Sequence, residues 1–146
     1  MNRRIESEAD MLKFGSLLAA VLEPGDVIAL TGDLGAGKTT LSRGMIQSLS
    51  GEIEVPSPTY TIVQAYDMSS FELWHCDLYR LERPEDVFEL GLLDMIDDVV
   101  SLIEWPERMG EYLPDHALTV KIEFDGDGRQ LSLSGPEHWA RKLANV

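Results

Sequence analysis

The sequence predicts an α/β fold: a mixed, mainly parallel sheet flanked by helices, with antiparallel edge strands. Three observations predict it. The apolar run Val27 to Leu30 leads into a glycine-rich loop, Gly32 to Gly37, and then into a helical stretch. A second run, Val99 to Ile103, has the near-continuous hydrophobicity of a strand buried on both faces. Near the C-terminus, Ala117 to Phe124 and Arg129 to Ser134 flank Asp125-Gly126-Asp127-Gly128, a strong hairpin signal.

The remaining elements follow in order. Ser7 with Asp10 three residues on has the form of a helix N-cap with an acidic third position. Leu12, Phe14, Leu17, Leu18, Val21 and Leu22 then recur at helical spacing. Glu23-Pro24-Gly25-Asp26 ends that helix with turn chemistry. Thr39 to Leu49 is the helix after the glycine loop. Pro56-Ser57-Pro58 forbids regular structure. Tyr60 to Asp67 and Phe71 to Asp77 are strand candidates around a turn. Pro84-Glu85-Asp86 opens a helix that Gly91 closes. Leu92 to Asp97 and Pro136 to Ala144 are two further helix candidates.

The 146 residues suffice for one domain, residues 1–146, with a core that needs no staples. No run is long enough to cross a membrane. The start is too polar for a signal peptide. A single cysteine, Cys76, excludes an internal disulfide framework and a multi-cysteine zinc site, so a reduced, cytoplasmic location is expected. Acidic residues number 26 against 12 basic ones, for a formal charge of −14. A nucleic-acid binder needs a basic footprint to displace counterions. Only short clusters exist here, such as Arg80 with Arg83. Any link to nucleic acid is therefore expected to run through a partner.

Gly32-Asp33-Leu34-Gly35-Ala36-Gly37-Lys38-Thr39 matches G-x-x-x-x-G-K-[ST] in full. The glycines permit positive φ and close approach of the backbone to a ligand. Successive N–H groups then face one concavity, and the following helix adds its positive end. Lys38 supplies a point charge to the β and γ phosphates, and the Thr39 hydroxyl is a Mg²⁺ ligand candidate. The strand–loop–helix context predicts a P-loop NTPase fold. The candidate nucleotide-binding residues in the loop are Asp33, Leu34, Gly35, Ala36, Gly37, Lys38, Thr39 and Thr40.

A P-loop also needs a carboxylate across the sheet for Mg²⁺, at the C-terminal end of a buried strand. Glu104 ends the apolar run Val99 to Ile103, and Asp77 ends the more polar run from Phe71. Pattern alone favours Glu104 as the metal-site acid. Asp77, on an adjacent strand, would contact metal-bound water or orient the attacking water. The competing reading for both is a strand-terminal cap. Lys38, Asp77 and Glu104 are thus the catalytic candidates, and Thr39 and Glu104 the metal candidates.

Thr59, beside Ser57 and Tyr60, lies where switch-type NTPases place a threonine that senses Mg²⁺ and the γ-phosphate, or else in a plain connector. Trp105 either covers the nucleotide or docks a partner, unless it simply packs at the surface. His75 has the setting of a buried strand histidine rather than a catalytic base. Arg80 is better explained by surface pairing with Glu82 or Asp86 than as an arginine finger. Cys76 has no activating base beside it. None of the lysines sits in an Asn/Thr-Lys-x-Asp element, which leans toward ATP over GTP.

Four blocks occur in order: Gly32 to Thr40, Ser57-Pro58-Thr59-Tyr60, Asp77-Leu78-Tyr79-Arg80-Leu81 and Glu104-Trp105-Pro106-Glu107. Together they resemble the bacterial TsaE (YjeE) family, the ATPase of tRNA threonylcarbamoyladenosine biosynthesis. The resemblance implies ATP binding with Mg²⁺, slow hydrolysis, and action with the TsaD and TsaB proteins. The product would be N6-threonylcarbamoyl adenosine 37 in tRNAs reading ANN codons, with the transfer chemistry in TsaD. It implies that Lys38 binds phosphate and that Thr39 and Glu104 hold Mg²⁺. Asp77 would support hydrolysis, Thr59 would lie in a switch-like loop, and Trp105 would border the nucleotide. Relatives place a hydroxyl residue near the base in the N-terminal helix; here Ser7 and Met11 occupy that region. Arg129 resembles a family arginine to which no role is assigned.

Two other functions compete. A small-molecule P-loop kinase would need a lid carrying arginines, for which Arg80, Arg83 and Arg108 are the candidates, although no arginine-rich lid segment is evident. A nucleotide-gated binding module would bind without useful hydrolysis.

Overall fold

The computed structural model describes residues 1–51, 54–56, 58 and 62–146. Seven strands form one sheet in the order β1-β7-β6-β2-β5-β4-β3. They are β1 (Asn2–Ile5), β2 (Val27–Thr31), β3 (Val63–Asp67), β4 (Glu72–Asp77), β5 (Val100–Glu104), β6 (Leu118–Asp125) and β7 (Gly128–Ser134). The central strands β6, β2, β5 and β4 run parallel. The antiparallel pairs lie outside them: β4 with β3, β6 with β7, and β7 with β1. This is the predicted mixed sheet with antiparallel edges.

Alternation along the central strands sorts the core into two layers. On β2, Ile28 and Leu30 join one cluster with Phe14, Leu18, Leu41 and Met45 of the helices α1 (Glu8–Ala19) and α2 (Lys38–Ser50). Val27 and Ala29 face the opposite way, onto Val87, Leu92 and Met109. That second layer is built from short pieces: 3₁₀ segments Pro84–Leu90 and Pro106–Tyr112, and a single turn, α3 (Leu92–Met95). α4 (Glu137–Lys142) closes the chain and buries Trp139 in the first layer.

Several expectations need correction. Pro84 to Gly91 is 3₁₀ rather than α-helical, although Gly91 does close it with φ 75°. The helix after it stops at Met95, and α4 gives way to a 3₁₀ turn at Leu143. α1 ends at Ala19, so Val21 and Leu22 lie beyond it, and Leu17 is exposed; the buried face instead uses Met11 and Gly15. Strand β3 begins at Val63, because Ile62 takes φ 68°, outside extended geometry; Tyr60 and Thr61 lie outside the described residues. The sequence reading missed β1 and the segment Pro106–Tyr112. β1 carries Asn2, Arg3 and Arg4 because it is an edge strand that needs only backbone pairing with β7.

Other expectations hold in detail. The Ser7 hydroxyl accepts from the Asp10 N–H at 3.1 Å, capping α1. Asp125 pairs with Gly128, leaving Gly126 and Asp127 as a two-residue loop with Gly126 at φ 60°.

α1 and α2 pack closely enough that backbone meets backbone. A Cβ on Gly44 would lie 2.6 Å from the Leu12 carbonyl oxygen, and one on Gly15 would lie 2.7 Å from that of Leu41. Neither obstacle is a flexible side chain. This crossing sets how α2 sits on β2 and so aims its N-terminus. Gly44→Val is expected to destabilise the fold by about 1–3 kcal/mol through overpacking. Urea unfolding checks it: the midpoint should fall at constant slope, whereas exposed Lys13→Ala should leave it in place.

Candidate functional site

The glycine loop joins the C-terminal end of β2 to the N-terminus of α2. Gly32 requires glycine twice over: its φ is 149°, and a Cβ would lie 2.7 Å from the Ile122 carbonyl oxygen. Gly37 is the N-cap of α2 at φ 119° and provides no side-chain cap. The first-turn amides of α2 are thus left to a ligand rather than to a serine or aspartate.

β5 brings Glu104 to this loop. Its register partners are Leu30 on β2 and Asp77 on β4, so both predicted acids end adjacent parallel strands at the same sheet edge. Glu104 is 2% exposed. The Thr39 hydroxyl donates toward its two carboxylate oxygens at 3.1 and 3.2 Å. His75 Nε2 lies 2.6 Å from Oε2 of the same carboxylate. A cavity of about 270 Å³ is lined by Leu34, Gly35, Gly37, Lys38, Thr39, Thr40, Asp77, Glu104 and Trp105. These are nine of the residues singled out from sequence. Ala36 is buried behind the loop, and Asp33 lines a neighbouring depression beside Trp105. Thr59, with Ser57 and Tyr60, lies outside the described residues.

The Lys38 ammonium folds back on its own loop, donating to the carbonyl oxygens of Gly32 and Asp33. It also sits 3.8 Å from the centroid of the Trp105 ring, a cation–π contact. Burial lowers its pKa, and Glu104, Glu107, Asp77 and Asp33 oppose that by favouring the charged form. Trp105 takes φ 57° and ψ 51°, the left-handed region, which is rare for a bulky side chain. That turn aims its ring across the loop mouth and against Tyr79, 5.0 Å away.

Asp77 is 5% exposed and accepts from the Tyr79 N–H at 3.0 Å. It therefore caps the turn after β4 as well as lining the cavity. The Cys76 thiol is pushed up to about 12, first by burial and then by the charges of Asp77 and Glu104, so it is not a nucleophile.

Sequence reasoning left Arg129 without a role. Its Nε donates to the Ala36 carbonyl at 3.0 Å and its Nη2 to that of Gly35 at 3.4 Å, while the guanidinium lies over Phe124. It thereby gives two loop carbonyls a partner on the β6–β7 hairpin. Only the β6–β7 hairpin brings it there, 93 residues along the chain from Ala36. A second cavity, about 230 Å³, lies on this flank of the loop among Ser7, Met11, Thr40 and Arg129. It shares Gly35, Gly37 and Thr40 with the first cavity.

No group of three or more His, Cys, Asp or Glu side chains able to hold a metal exists among the described residues. A divalent ion would need ligands from a bound phosphate and water in addition to Thr39 and Glu104. That suits Mg²⁺, which keeps waters and is usually held by one or two carboxylates together with substrate phosphates. The hard oxygen donors of Thr39 and Glu104 fit it. No helix among the described residues is long and apolar enough to cross a membrane.

The family model for threonylcarbamoyl adenosine biosynthesis protein TsaE matches residues 5–131. The tRNA threonylcarbamoyladenosine biosynthesis protein TsaE of Haemophilus influenzae is 40% identical over 152 residues, covering 100% of this chain and 96% of its own. The protein of the same description from Nostoc sp. is 42% identical, with 80% and 74% covered. Among solved structures, Bacillus subtilus YdiB superposes with a TM-score of 0.83 at 29% identity, covering 99% of this chain and 91% of that one. With a strand–loop–helix of the P-loop NTPase type at its centre and a family match across most of its length, this chain belongs to the TsaE family of threonylcarbamoyl adenosine biosynthesis proteins.

Proposed function

We propose that the chain is a single P-loop domain that binds ATP with Mg²⁺ and hydrolyses it slowly. It would act as an accessory ATPase with TsaD and TsaB in forming N6-threonylcarbamoyl adenosine 37 in tRNAs reading ANN codons. One observation carries the ATPase reading: the Thr39 hydroxyl meets the buried Glu104 carboxylate at 3.1 Å, at the cavity that also holds Lys38. A hydroxyl and a carboxylate from opposite sides of a phosphate loop are the protein's half of a Mg–nucleotide site.

Each residue has a task in this reading. The loop amides and the start of α2 hold the phosphate oxygens. Lys38 leaves its loop carbonyls for the β and γ phosphates, trading neutral acceptors for charged ones. Thr39 and Glu104 would hold Mg²⁺, which when bound neutralises charge on the β- and γ-oxygens. Asp77, beside Glu104, accepts a hydrogen bond from the attacking water and orients it. Trp105 and Tyr79 keep bulk solvent off the phosphate mouth. Arg129 holds the loop in shape. Among the described residues no arginine lines the cavity. Arg83 pairs with Asp86 and Arg108 lies over Tyr79. Slow turnover by the isolated chain follows.

The strongly acidic surface supports a role in which tRNA is met through partners. The cytoplasm, where tRNA is modified, is the location this role requires.

Four outcomes test the proposal. Glu104→Gln should lower single-turnover ATP hydrolysis by about tenfold or more while ADP binding without metal changes little. Full Mg²⁺-dependent turnover in that variant would remove Glu104 from the metal site. Lys38→Ala should weaken ATP binding by about tenfold or more, read by titration calorimetry. The isolated chain should give no tight gel shift with tRNA at physiological salt. Free phosphate should be released, more of it with TsaD and TsaB present; phosphorylation of a compound from a metabolite panel would instead favour a kinase.

A further inference from the structure

His75 is fully buried, yet it is not spent on packing alone. Its Nε2 lies 2.6 Å from Glu104 Oε2, while its Nδ1 has no hydrogen-bond partner among the described residues. Replacing the ring by leucine would fill similar volume with no orphaned nitrogen. The position thus carries the cost of a buried polar atom left unpaired. The contact to Glu104 is what that cost sustains.

We propose that His75 is a positioning residue whose Nε2–H holds the Glu104 carboxylate in the orientation that serves Thr39 and a divalent ion. This rests on the reading of Glu104 as the metal-site acid. A carboxylate only accepts, so Nε2 carries a proton in this contact.

The sheet makes the arrangement rigid. His75 is in register with Leu102 on β5, two residues before Glu104. Side chains two apart on a strand share a face, so His75 reaches Glu104 diagonally across adjacent parallel strands. The imidazole is anchored by central strand β4 and enclosed by the core. Glu104 has three side-chain torsions. The other donor to it among the described residues is the Thr39 hydroxyl, itself a metal-ligand candidate that must turn its lone pairs to an ion. His75 is therefore the donor that stays in place when Thr39 changes partner. Outer-shell donors of this kind usually matter by about 10–100-fold in metal affinity or activity.

Two variants of the full chain separate positioning from packing. Both His75→Gln and His75→Asn bury one amide, but only the glutamine is long enough to set an N–H near the place of Nε2. Tryptophan fluorescence follows ADP binding without metal, and then Mg²⁺ titration at saturating ADP. Phosphate release gives kcat and KM for ATP. In His75→Asn the apparent Mg²⁺ affinity and kcat should each fall about tenfold or more, with metal-free ADP affinity within about twofold. His75→Gln should recover most of both. Wild-type Mg²⁺ titration in His75→Asn overturns the inference, and so does an equal loss in both variants. Long-range proton–nitrogen spectra of the unaltered protein test it without any variant: an Nε2–H tautomer is expected, and an Nδ1–H tautomer overturns it. If ADP binding by the unaltered protein ignores Mg²⁺, the metal-site reading itself fails and takes this inference with it. If only His75→Asn ignores the loss of its donor, the metal-site reading stands and this inference alone falls.

Discussion

Glu104 is 2% exposed at the end of an apolar strand, where an unpaired carboxylate costs several kcal/mol. The structure offsets that cost with two short-range donors, Thr39 from the first turn of α2 and His75 from β4. Both depend on the parallel register. β5 must lie between β2 and β4 for one carboxylate to meet the phosphate loop on one side and the imidazole on the other. A strand order that moved β5 to an edge would leave Glu104 in solvent, where it would need neither.

The same dependence runs into the helices. Thr39 can meet Glu104 only if α2 starts at the right place, and that is governed by how α2 lies on α1. The close approach at Gly15 and Gly44 fixes the crossing, while Gly32 lets the loop pass under Ile122. Arg129 then holds the loop from the far flank through the carbonyls of Gly35 and Ala36. Three remote parts of the chain thus act on one short loop. This explains how so small a protein can hold a glycine-rich loop in shape without a side-chain cap on α2.

What could be read from sequence divides along physical lines. β2, β5 and the phosphate loop were legible because both strands are buried on both faces and the loop has fixed spacing. Glu104 and Asp77 were legible as the residues ending such strands. β1 was not, because an edge strand needs no apolar alternation. The layer over Val27 and Ala29 was misjudged in helix type: its pieces are too short for periodicity to separate 3₁₀ from α. Arg129 and the His75 contact were out of reach for another reason. Their partners are fixed by tertiary pairing, 93 and 29 residues away along the chain, and a lone arginine or histidine carries no local signal of that.

Lys38 is the cation that would change partners when the proposed ligand arrives. Burial disfavours its charged form, and the surrounding acids only partly oppose this. Its carbonyl acceptors on Gly32 and Asp33 are neutral, and the Trp105 ring supplies a cation–π contact from a backbone conformation that itself costs about 1–3 kcal/mol. A polyanion reaching the loop would favour the ammonium far more than any of these partners does. Exchange of these neutral acceptors for charged ones would tie affinity at Lys38 to the charge of the ligand rather than to its shape. On the proposed reading the glycine loop would answer to the charge of a triphosphate, and contacts to the base would fall to the separate flank near Ser7, Met11 and Arg129.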